Sequence, residues 1–448
     1  MNLIDKYSEI YLSLKNKYKS TDNSFMFSTR ENSYNMLLEN NFSKELAKRY
    51  EHSNIESVAE IDYNFIFNND EGVNLSDLFY CQNEDLEANV IFLSNGIFLK
   101  KKIIENTIPE GVIICGMKEA SQKYPSIFEK YYDSLAKNSD DKYSFLNTLF
   151  ANDGLFLYIP ENVRIEMPFQ IINLSFGFEN KNFFNRNLFI IEENSEASLI
   201  VCNHSLNNSK NFVIDISEAI VKDNSTFEYY AIQNETSNSI VNNYLFASAA
   251  KNATIKTLGL LLHGNILRNN IFVSLIGEHS FAGLYSLSLA DRKQVFENYT
   301  SLIHEVPNAT SNELYKNIID ENAICFFEGK IVVKKEAQKT EARQENRNIC
   351  LTDHAKIFTK PQLEIYADDV VCGHGSTVGQ LNGNELFYLQ QRGIDYEEAR
   401  QLLLFAFAND ILSKIKIDTL KNKIVDMIEM RLKGQISDKC NCLLGCNL

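Results

Sequence analysis

Apolar and polar positions in the first 150 residues recur mainly with a helical period. One stripe, at steps of three and four residues, predicts an amphipathic helix at the start of the chain. Its members are Leu3, Ile4, Tyr7, Ile10, Tyr11, Leu14 and Tyr18. A second helix is predicted over Arg30–Glu51, with Leu37, Leu38 and Leu46 at its apolar positions. Extended runs at Val90–Leu93 and Val112–Cys115 interrupt the helical texture, which returns over Tyr132–Phe150. We expect residues 1–150 to form a mainly helical N-terminal region.

The pattern changes at Asp153, where short runs of β-branched and aromatic residues begin to follow one another. The runs are Phe156–Ile159, Phe169–Leu174, Leu188–Ile191, Ser198–Cys202, Phe212–Ile216, Phe227–Ile232, Ile255–Leu262 and Phe272–Ile276. Clusters rich in Asn and Ser, such as Asn203–Lys210 and Gln233–Ser239, separate them and are typical of turns. A mainly β core is therefore predicted over residues 151–391. The pattern alone leaves a sandwich, a barrel, a propeller and a parallel β-solenoid open.

Helical periodicity returns after Arg392. Asp395 occupies an N-cap position with Glu398 three residues later, which is the pattern of a capping box. The predicted buried face of this helix is Ala399, Leu402, Leu403, Ala406, Asp410 and Ile411, and Leu404, Phe405 and Phe407 widen its apolar surface. Such a helix needs cover on more than one side. A second amphipathic helix follows Asp418, on Leu420, Ile424, Met427, Ile428 and Leu432. Residues 392–448 thus form a C-terminal helical region with a cysteine-containing tail.

Composition excludes several classes of function. The 448 residues carry a formal net charge of −15, so a phosphate-neutralising basic face is not expected and nucleic acid is excluded as a partner. No apolar stretch approaches the roughly 20 residues that cross a bilayer, and no cationic segment precedes an apolar secretion core. Nine scattered cysteines, an odd number, favour reduced thiols. We expect a cytoplasmic protein without membrane contact or structural disulfides.

The segment Pro361–Gly379 carries the most unusual chemistry in the chain. On a strand, Cys372 and His374 would project from the same face, and Gly373 and Gly375 remove side chains beside them. A thiolate and an imidazole are both good ligands for zinc or iron, but two ligands complete only half of a tetrahedral site. The pair taken by itself therefore favours Cys372 packing as a small apolar group and His374 forming a hydrogen bond at a strand end over a metal site.

Other motifs predict little chemistry. Cys440, Cys442 and Cys446 form a C-x-C-x3-C tail without a nearby histidine or fourth cysteine, so a disordered or incidental tail is favoured over a soft-metal site. An alternating run of Glu341, Arg343, Glu345 and Arg347 predicts a solvated strand face with cross-strand pairing. The run from Gly373 to Gly379 lacks the lysine and the spacing of a phosphate-binding loop, and no nucleophile-elbow serine occurs there. We expect no catalytic site.

Several segments, dense in the last third of the chain, are characteristic of one family. They are Ala337–Arg343 (AQKTEAR), Pro361–Val370 (PQLEIYADDV), Cys372–Gly379 (CGHGSTVG) and Leu386–Ile394 (LFYLQQRGI), with Asp153–Ile171 and Phe326–Val333 upstream. Over roughly residues 90 to 415 the chain resembles the SufB/SufD family of iron–sulfur cluster assembly proteins. The resemblance implies a right-handed parallel β-helix core between helical ends, which would settle the fold left open above.

The resemblance also implies a function as a non-catalytic scaffold subunit in cluster assembly. Members of the SufD branch pair with SufB through their β-helices and bind the ATPase SufC through their C-terminal helices. The expected SufC contact here is formed by Arg392, Gly393, Ile394, Asp395, Phe405 and Phe407. His374, with Cys372, is the expected transient ligand for iron or a nascent cluster at the SufB junction. No tightly bound cofactor is expected.

Two positions favour the SufD branch over the SufB branch. SufB resembles this chain but carries Glu-His-Glu where Gly373, His374 and Gly375 stand here, and it has a cluster cysteine near the position of Asn346. Cys350 lies four residues further on, on the same strand face, and could substitute for that cysteine. The alternative functions are a SufB-like homodimeric scaffold and a β-helix enzyme acting on polysaccharide. The isolated chain is expected to be able to form a homodimer.

Overall fold

A computed structural model of the chain describes residues 3–39, 55, 64–65, 86–175, 180–205 and 210–434. Its central feature is a parallel β-solenoid, or β-helix, of about 7 turns with helices on both sides. Strands from consecutive coils pair parallel and in register, and each coil takes roughly 30 residues. The expectation of a parallel β-helix between helical ends is confirmed, and the sandwich, barrel and propeller alternatives are excluded.

Two sheets form the walls of the β-helix. The strands are β1 (Asn64–Phe65), β2 (Asn89–Ser94), β3 (Ile97–Lys102), β4 (Ile113–Gly116), β5 (Leu155–Ile159), β6 (Phe169–Ser175), β7 (Lys181–Ile191), β8 (Glu196–Ser205), β9 (Asn211–Val221), β10 (Thr226–Asn234), β11 (Ser239–Ala249), β12 (Thr254–His263), β13 (Ile266–Leu275), β14 (Phe281–Ala290), β15 (Val295–His304), β16 (Thr310–Ile319), β17 (Ile324–Val333), β18 (Glu341–Cys350), β19 (Lys356–Ile365) and β20 (Val371–Gly379). Sheet A has the order β19-β17-β15-β13-β11-β9-β7-β5-β4, with β1 beside β7. Sheet B has the order β20-β18-β16-β14-β12-β10-β8-β6-β2-β3.

Helices cover part of the outer face of each sheet. They are α1 (Leu3–Thr21), α2 (Ser24–Glu39), α3 (Met117–Lys123), α4 (Pro125–Tyr131), α5 (Lys142–Phe150), α6 (Gly383–Gln391), α7 (Tyr396–Leu412) and α8 (Asp418–Leu432), with a 3-10 turn at Ala136–Asn138. Helices α1, α2 and α5 pack on sheet A, and α7 and α8 pack on sheet B. None of the helices in the described ranges combines the length and apolarity that a membrane crossing requires.

One corner of the coils is built from a stack of asparagines. Asn162, Asn194, Asn224 and Asn252 all have positive φ, between 55° and 62°. Asparagine tolerates this left-handed conformation better than most residues. Their side-chain amides also bond to one another, as Asn224 Nδ2 donates to Asn194 Oδ1 at 3.0 Å and Asn252 Nδ2 donates to Asn224 Oδ1 at 2.8 Å. This ladder fixes the register of the first four coils at that corner.

Burial along the strands changes from one end of the β-helix to the other. All eleven residues of β7 and of β9 are buried, since one face points into the β-helix and the other lies under helices. In β17 and β18 buried and more exposed positions largely alternate, because their outer faces lack that cover. Strand β20 is almost entirely exposed. The coil stack is thus covered at its beginning and bare at its end.

Two details of the predicted helices are wrong. The second helix begins at Ser24 rather than Arg30, because Asn23 Oδ1 accepts the Met26 N–H at 2.8 Å and caps it there. The rest of that predicted range, beyond Glu39, lies outside the described residues.

The predicted buried face of α7 is right for Ala399 and Ile411, which are fully buried, but wrong for Leu402, which is 46% exposed, and for Ala406 and Asp410, which are exposed. The face turned to sheet B is formed by Leu404, Ala408 and Ile411, and a residue two positions along a helix lies on the opposite side.

Strands β2, β3 and β4 lie within residues 1–150, the region predicted to be mainly helical. Helix α6 precedes Arg392, where the C-terminal helical region was predicted to begin.

Candidate functional site

The site lies at the last coil, where β19 and β20 end sheets A and B among the described strands. Each of these strands pairs along one edge only, with β17 or β18. The opposite edge presents a row of backbone N–H and C=O groups, which is a template for pairing with another chain. Apolar side chains on the last coil are exposed as well, with Val371 at 68% and Val378 at 55%. We call this surface the open end.

Cys372 and His374 both point toward the interior of the β-helix at the open end. Their partners in β18 are Ala342 and Gln344, which are fully buried, and Cys372 packs against the interior apolar cluster. Further along β20, Ser376 Oγ lies 2.9 Å from Thr359 Oγ1 of β19, across the interior. His374 is nonetheless exposed because no further coil lies above it in the described structure. The sequence prediction that thiol and imidazole share one face is consistent with this alternation.

Burial raises the pKa of the Cys372 thiol. The thiol form is therefore dominant near neutral pH, and binding of a metal there would have to displace its proton.

The outer face of the same strands forms a shallow hollow of about 480 Å³. Gly373 and Gly375 open it, since a Cβ on either would have no neighbour within 4 Å. Arg343, Glu345 and Arg347 of β18 line its floor. Arg347 Nη2 donates to Glu345 Oε2 at 2.5 Å. The predicted charged run is thus an outward, solvent-facing strand face.

A buried carboxyl lies two coils below His374, with Gln344 between them. Glu313 of β16, Gln344 of β18 and His374 of β20 occupy equivalent positions in three successive strands. Glu313 Oε2 accepts from Gln344 Nε2 at 2.8 Å and from Thr300 Oγ1 at 3.1 Å. Burial raises the pKa of Glu313 to about 7. The sequence analysis did not identify Glu313. Its spacing of about one coil from Gln344 and about two coils from His374 would have indicated that the three residues are in register.

Asn346, near whose position the resemblance implies a cluster cysteine in SufB, is fully buried. Its Nδ2 donates to the Tyr315 carbonyl at 3.3 Å, and its Oδ1 accepts from Asn348 Nδ2 at 2.6 Å. Cys350 lies at the other end of β18, near Cys325. Eight residues separate it from Ala342, the partner of Cys372, which corresponds to about 26 Å along a strand. The structure therefore does not bring Cys350 to Cys372.

The residues proposed to contact an ATPase lie in the connection between α6 and α7 and on α7 itself. Arg392, Gly393 and Asp395 are exposed in the connection between these helices, Ile394 is half-buried, and Asp395 Oδ1 caps α7 by accepting the Glu398 N–H at 3.0 Å. Phe405 and Phe407 are half-buried against sheet B. The Lys316 ammonium lies 4.3 Å from the centre of the Phe407 ring. Larger exposed apolar groups on these helices are Phe387 at 61%, Tyr388 at 58% and Tyr396 at 50%.

Within the described residues, no three His, Cys, Asp or Glu side chains come together as a metal site. Cys372 and His374 therefore offer two ligands of such a site at most. Cys115, Cys325, Cys350 and Cys372 are free thiols. The Cys440, Cys442 and Cys446 tail lies outside the described residues.

The fold and the open end together define a β-helix protein with an unpaired sheet edge and a thiol–imidazole pair beside it. Residues 175–407 match the family described as "SUF system FeS cluster assembly, SufBD core domain", and residues 1–171 match the SufBD protein N-terminal region. The chain belongs to the SufB/SufD family of iron–sulfur cluster assembly proteins.

Three relatives illustrate the similarity. The iron–sulfur cluster assembly protein SufD of Escherichia coli is 34% identical over 246 residues, which is 54% of this chain and 58% of the relative. SufD of Bacillus subtilis is 29% identical over 329 residues, covering 72% of this chain and 75% of the relative. A SufBD family protein of Synechocystis is 26% identical over 360 residues, covering 77% and 78%.

Proposed function

We propose that this chain is a SufD-like, non-catalytic scaffold subunit that pairs with a SufB subunit through its open end. The observation that carries the proposal is the last coil itself, where two sheet edges, exposed apolar side chains and an exposed histidine coincide. An exposed edge of this length invites uncontrolled pairing unless a dedicated partner covers it. Strand addition by a second β-helix would satisfy the edge and bury Val371 and Val378.

At such a junction Cys372 and His374 would supply part of a ligand set for iron or a nascent cluster, which is cargo here and not a resident cofactor. Two protein ligands from this chain leave positions for ligands from SufB and for sulfide. When the Cys372 thiol binds iron(II), a sulfur–iron bond forms and the thiol proton is released to solvent. Because burial raises the pKa of this thiol, protons compete with iron for the sulfur, which favours release of the cargo.

A SufC-type ATPase subunit is the second proposed partner, bound through α6, α7 and the connection Arg392–Asp395. Support comes from the exposed aromatic groups Phe387, Tyr388 and Tyr396 around that connection. Because α7 is anchored to sheet B through Lys316, which donates to Asp410 Oδ2 and to the Phe407 carbonyl, force on these helices would reach the coils next to the open end.

The experiment is co-expression of this chain with SufB and SufC homologues from one organism, followed by iron and sulfide analysis of the purified complex. We expect a complex of all three subunits, with His374→Ala lowering cluster content at least several-fold while leaving the complex intact. His354→Ala removes another exposed histidine, at the corner before β19, and is the matched control. Normal cluster content in His374→Ala would remove that residue from assembly, and failure to form the complex would overturn the scaffold function. Sedimentation of the chain alone tests for a homodimer.

A further inference from the structure

A small cavity lies inside the β-helix, in the middle of the coil stack and away from the open end. Its volume is about 40 Å³. A water molecule needs about 10–15 Å³ on this measure, so the cavity has room for a few waters or for one ion with part of its hydration shell. Inward-facing polar side chains line it: Asn203, Gln233 and Thr257 come from sheet B, and Asp215 and Asn243 come from sheet A.

Hydrogen bonds fix which way the amides of this cavity point. Asn269 Oδ1 accepts from Gln233 Nε2 at 2.5 Å and from Asn243 Nδ2 at 3.2 Å. The side-chain nitrogens of Gln233 and Asn243 therefore both donate to Asn269, and the side-chain oxygens of these two residues do not take part in these bonds. These oxygens, together with Asn203 Oδ1 and Thr257 Oγ1, have no hydrogen-bond partner among the described residues. Gln233, Thr257 and Asn203 are only 1%, 2% and 8% exposed.

The cavity also receives a carboxyl group whose hydrogen-bond donors are all neutral. Asp215 is 6% exposed, and its oxygens accept from Asn185 Nδ2 at 3.0 Å, Asn187 Nδ2 at 3.3 Å and Ser217 Oγ at 3.5 Å. Burial raises the pKa of Asp215 to about 6, and a cation beside the group would favour its ionised form. A buried negative charge without a cation is costly.

We propose that this cavity binds one monovalent cation of the Na⁺/K⁺ class. Four unpartnered oxygens and one carboxylate make its lining rich in acceptors. Hard, weakly charged cations prefer such oxygen ligands, and the single carboxylate matches a single positive charge. Ca²⁺ and Mg²⁺ sites usually use several carboxylates or keep most of their water, for which the cavity is too small. Iron and zinc are excluded as occupants, because no cysteine or histidine lines the cavity.

Gly259 provides a variant that fills the cavity without changing its charge. This residue also lines the cavity, and a Cβ placed on it would lie 3.4 Å from Ser286 Oγ and 3.6 Å from Asn269 Nδ2. Gly259→Ala therefore fits with little strain and narrows the space for an ion. Gly373→Ala is the matched control, because it adds the same methyl group to a strand at the open end, far from the cavity.

The test uses thallium(I), which replaces K⁺ and scatters X-rays anomalously. Crystals of the full chain grown in thallium acetate are expected to show one anomalous peak in the cavity, retained in Gly373→Ala and absent in Gly259→Ala. Asp215→Asn is expected to lose the peak too, and Thr257→Val to weaken it. A cavity holding only ordered water in thallium-grown crystals of the unchanged protein would overturn the proposal.

A solution measurement covers the case in which Asp215→Asn does not fold. The melting temperature of the unchanged protein is expected to be about 2 °C higher in potassium acetate than in tetramethylammonium acetate of equal ionic strength, since the larger cation cannot enter. Gly259→Ala should abolish that difference and Gly373→Ala should keep it. Equal melting temperatures of the unchanged protein in both salts, or an undiminished difference in Gly259→Ala, would contradict a cation in the cavity.

Discussion

The two ends of the β-helix are built differently. At the first coils, which we call the covered end, helices cover sheet A. Buried ion pairs join the sheet to the segment that follows α4, since Arg186 Nη2 lies 2.7 Å from Glu218 Oε2 and 2.7 Å from Asp133 Oδ1. Glu218 also accepts the backbone N–H groups of Asp133, Leu135 and Ala136. At the last coil the comparable strand faces are bare, and the charged residues of β18 lie in solvent.

This contrast separates residues that stabilise the fold from residues available for interaction. Every buried polar group costs free energy unless it is paired, so charges at the covered end must be matched to one another. At the open end a substitution changes little in the isolated chain, and its effect is expected when a partner docks. The free energy of unfolding of variants at the two ends measures that separation.

The largest effect is expected from Arg186→Met at the covered end. Removing this guanidinium leaves Glu218 and Asp133 buried without their cation, which costs about 3–5 kcal/mol. Denaturant unfolding measures the loss. Arg343→Met, on the outer face of β18, is the control and should stay within about 0.5 kcal/mol of the unchanged protein. Equal losses in the two variants would show that the ends do not differ.

A smaller, pH-dependent effect is expected at Glu313, which lies between the two ends. Folding raises the pKa of this carboxyl from 4.5 to about 7, so the folded protein holds the proton more tightly than the unfolded chain does. The unchanged protein should therefore lose stability as pH rises from about 4.5 through about 7, by about 3 kcal/mol relative to Glu313→Gln. Denaturant unfolding at pH 5 and pH 8 measures this difference.

Glu345→Gln removes a carboxyl from the outer face of β18 and is the control for Glu313→Gln. It should show no such dependence. A pH-independent difference between Glu313→Gln and the unchanged protein would mean that Glu313 stays ionised in the folded state.

Much of the fold could be predicted from the sequence. The pattern of strands alone did not distinguish a solenoid from a sandwich, and the reason is physical. The strand runs were recognisable, yet the covered coils bury both strand faces, so strands such as β7 show no alternation that would distinguish a solenoid from a sandwich. The corner asparagines do carry the coil period, as Asn194, Asn224 and Asn252 follow one another at intervals of about 30 residues. That spacing indicates a structural repeat of one coil, although the strands between the asparagines vary in length.

The candidate site was predictable only where strand alternation was intact. The alternation placed Cys372 and His374 on one face because β20 is regular. The distance of Cys350 from that pair follows from coil register, which a single strand does not reveal. The face of α7 was mispredicted because this helix is apolar nearly all round, and only its contact with sheet B selects Leu404 over Leu402.

A moderate loss of stability is expected from substitutions in the asparagine ladder of the first four coils. Asn224→Ala forces alanine into a backbone with φ of +57° and removes two amide bonds, at a cost of about 1–2 kcal/mol. Asn224→Gly restores the backbone freedom and should cost less than half as much, which isolates the contribution of the ladder. Denaturant unfolding compares the two. An equal loss in both would assign the whole effect to the side-chain bonds.

The smallest effect on stability is expected at the open end, from Val378→Asp. This side chain points inward on the last coil but is 55% exposed, so a carboxylate there remains hydrated and unfolding should change by less than about 1 kcal/mol. In the complex the same carboxylate would be buried in the proposed SufB junction, and affinity for that subunit should fall at least tenfold, measured by titration calorimetry. Thr377→Asp, one residue away on the outer face, is the control and should keep the affinity. Loss of affinity in Thr377→Asp alone would place the partner on the outer hollow instead of on the end of the β-helix.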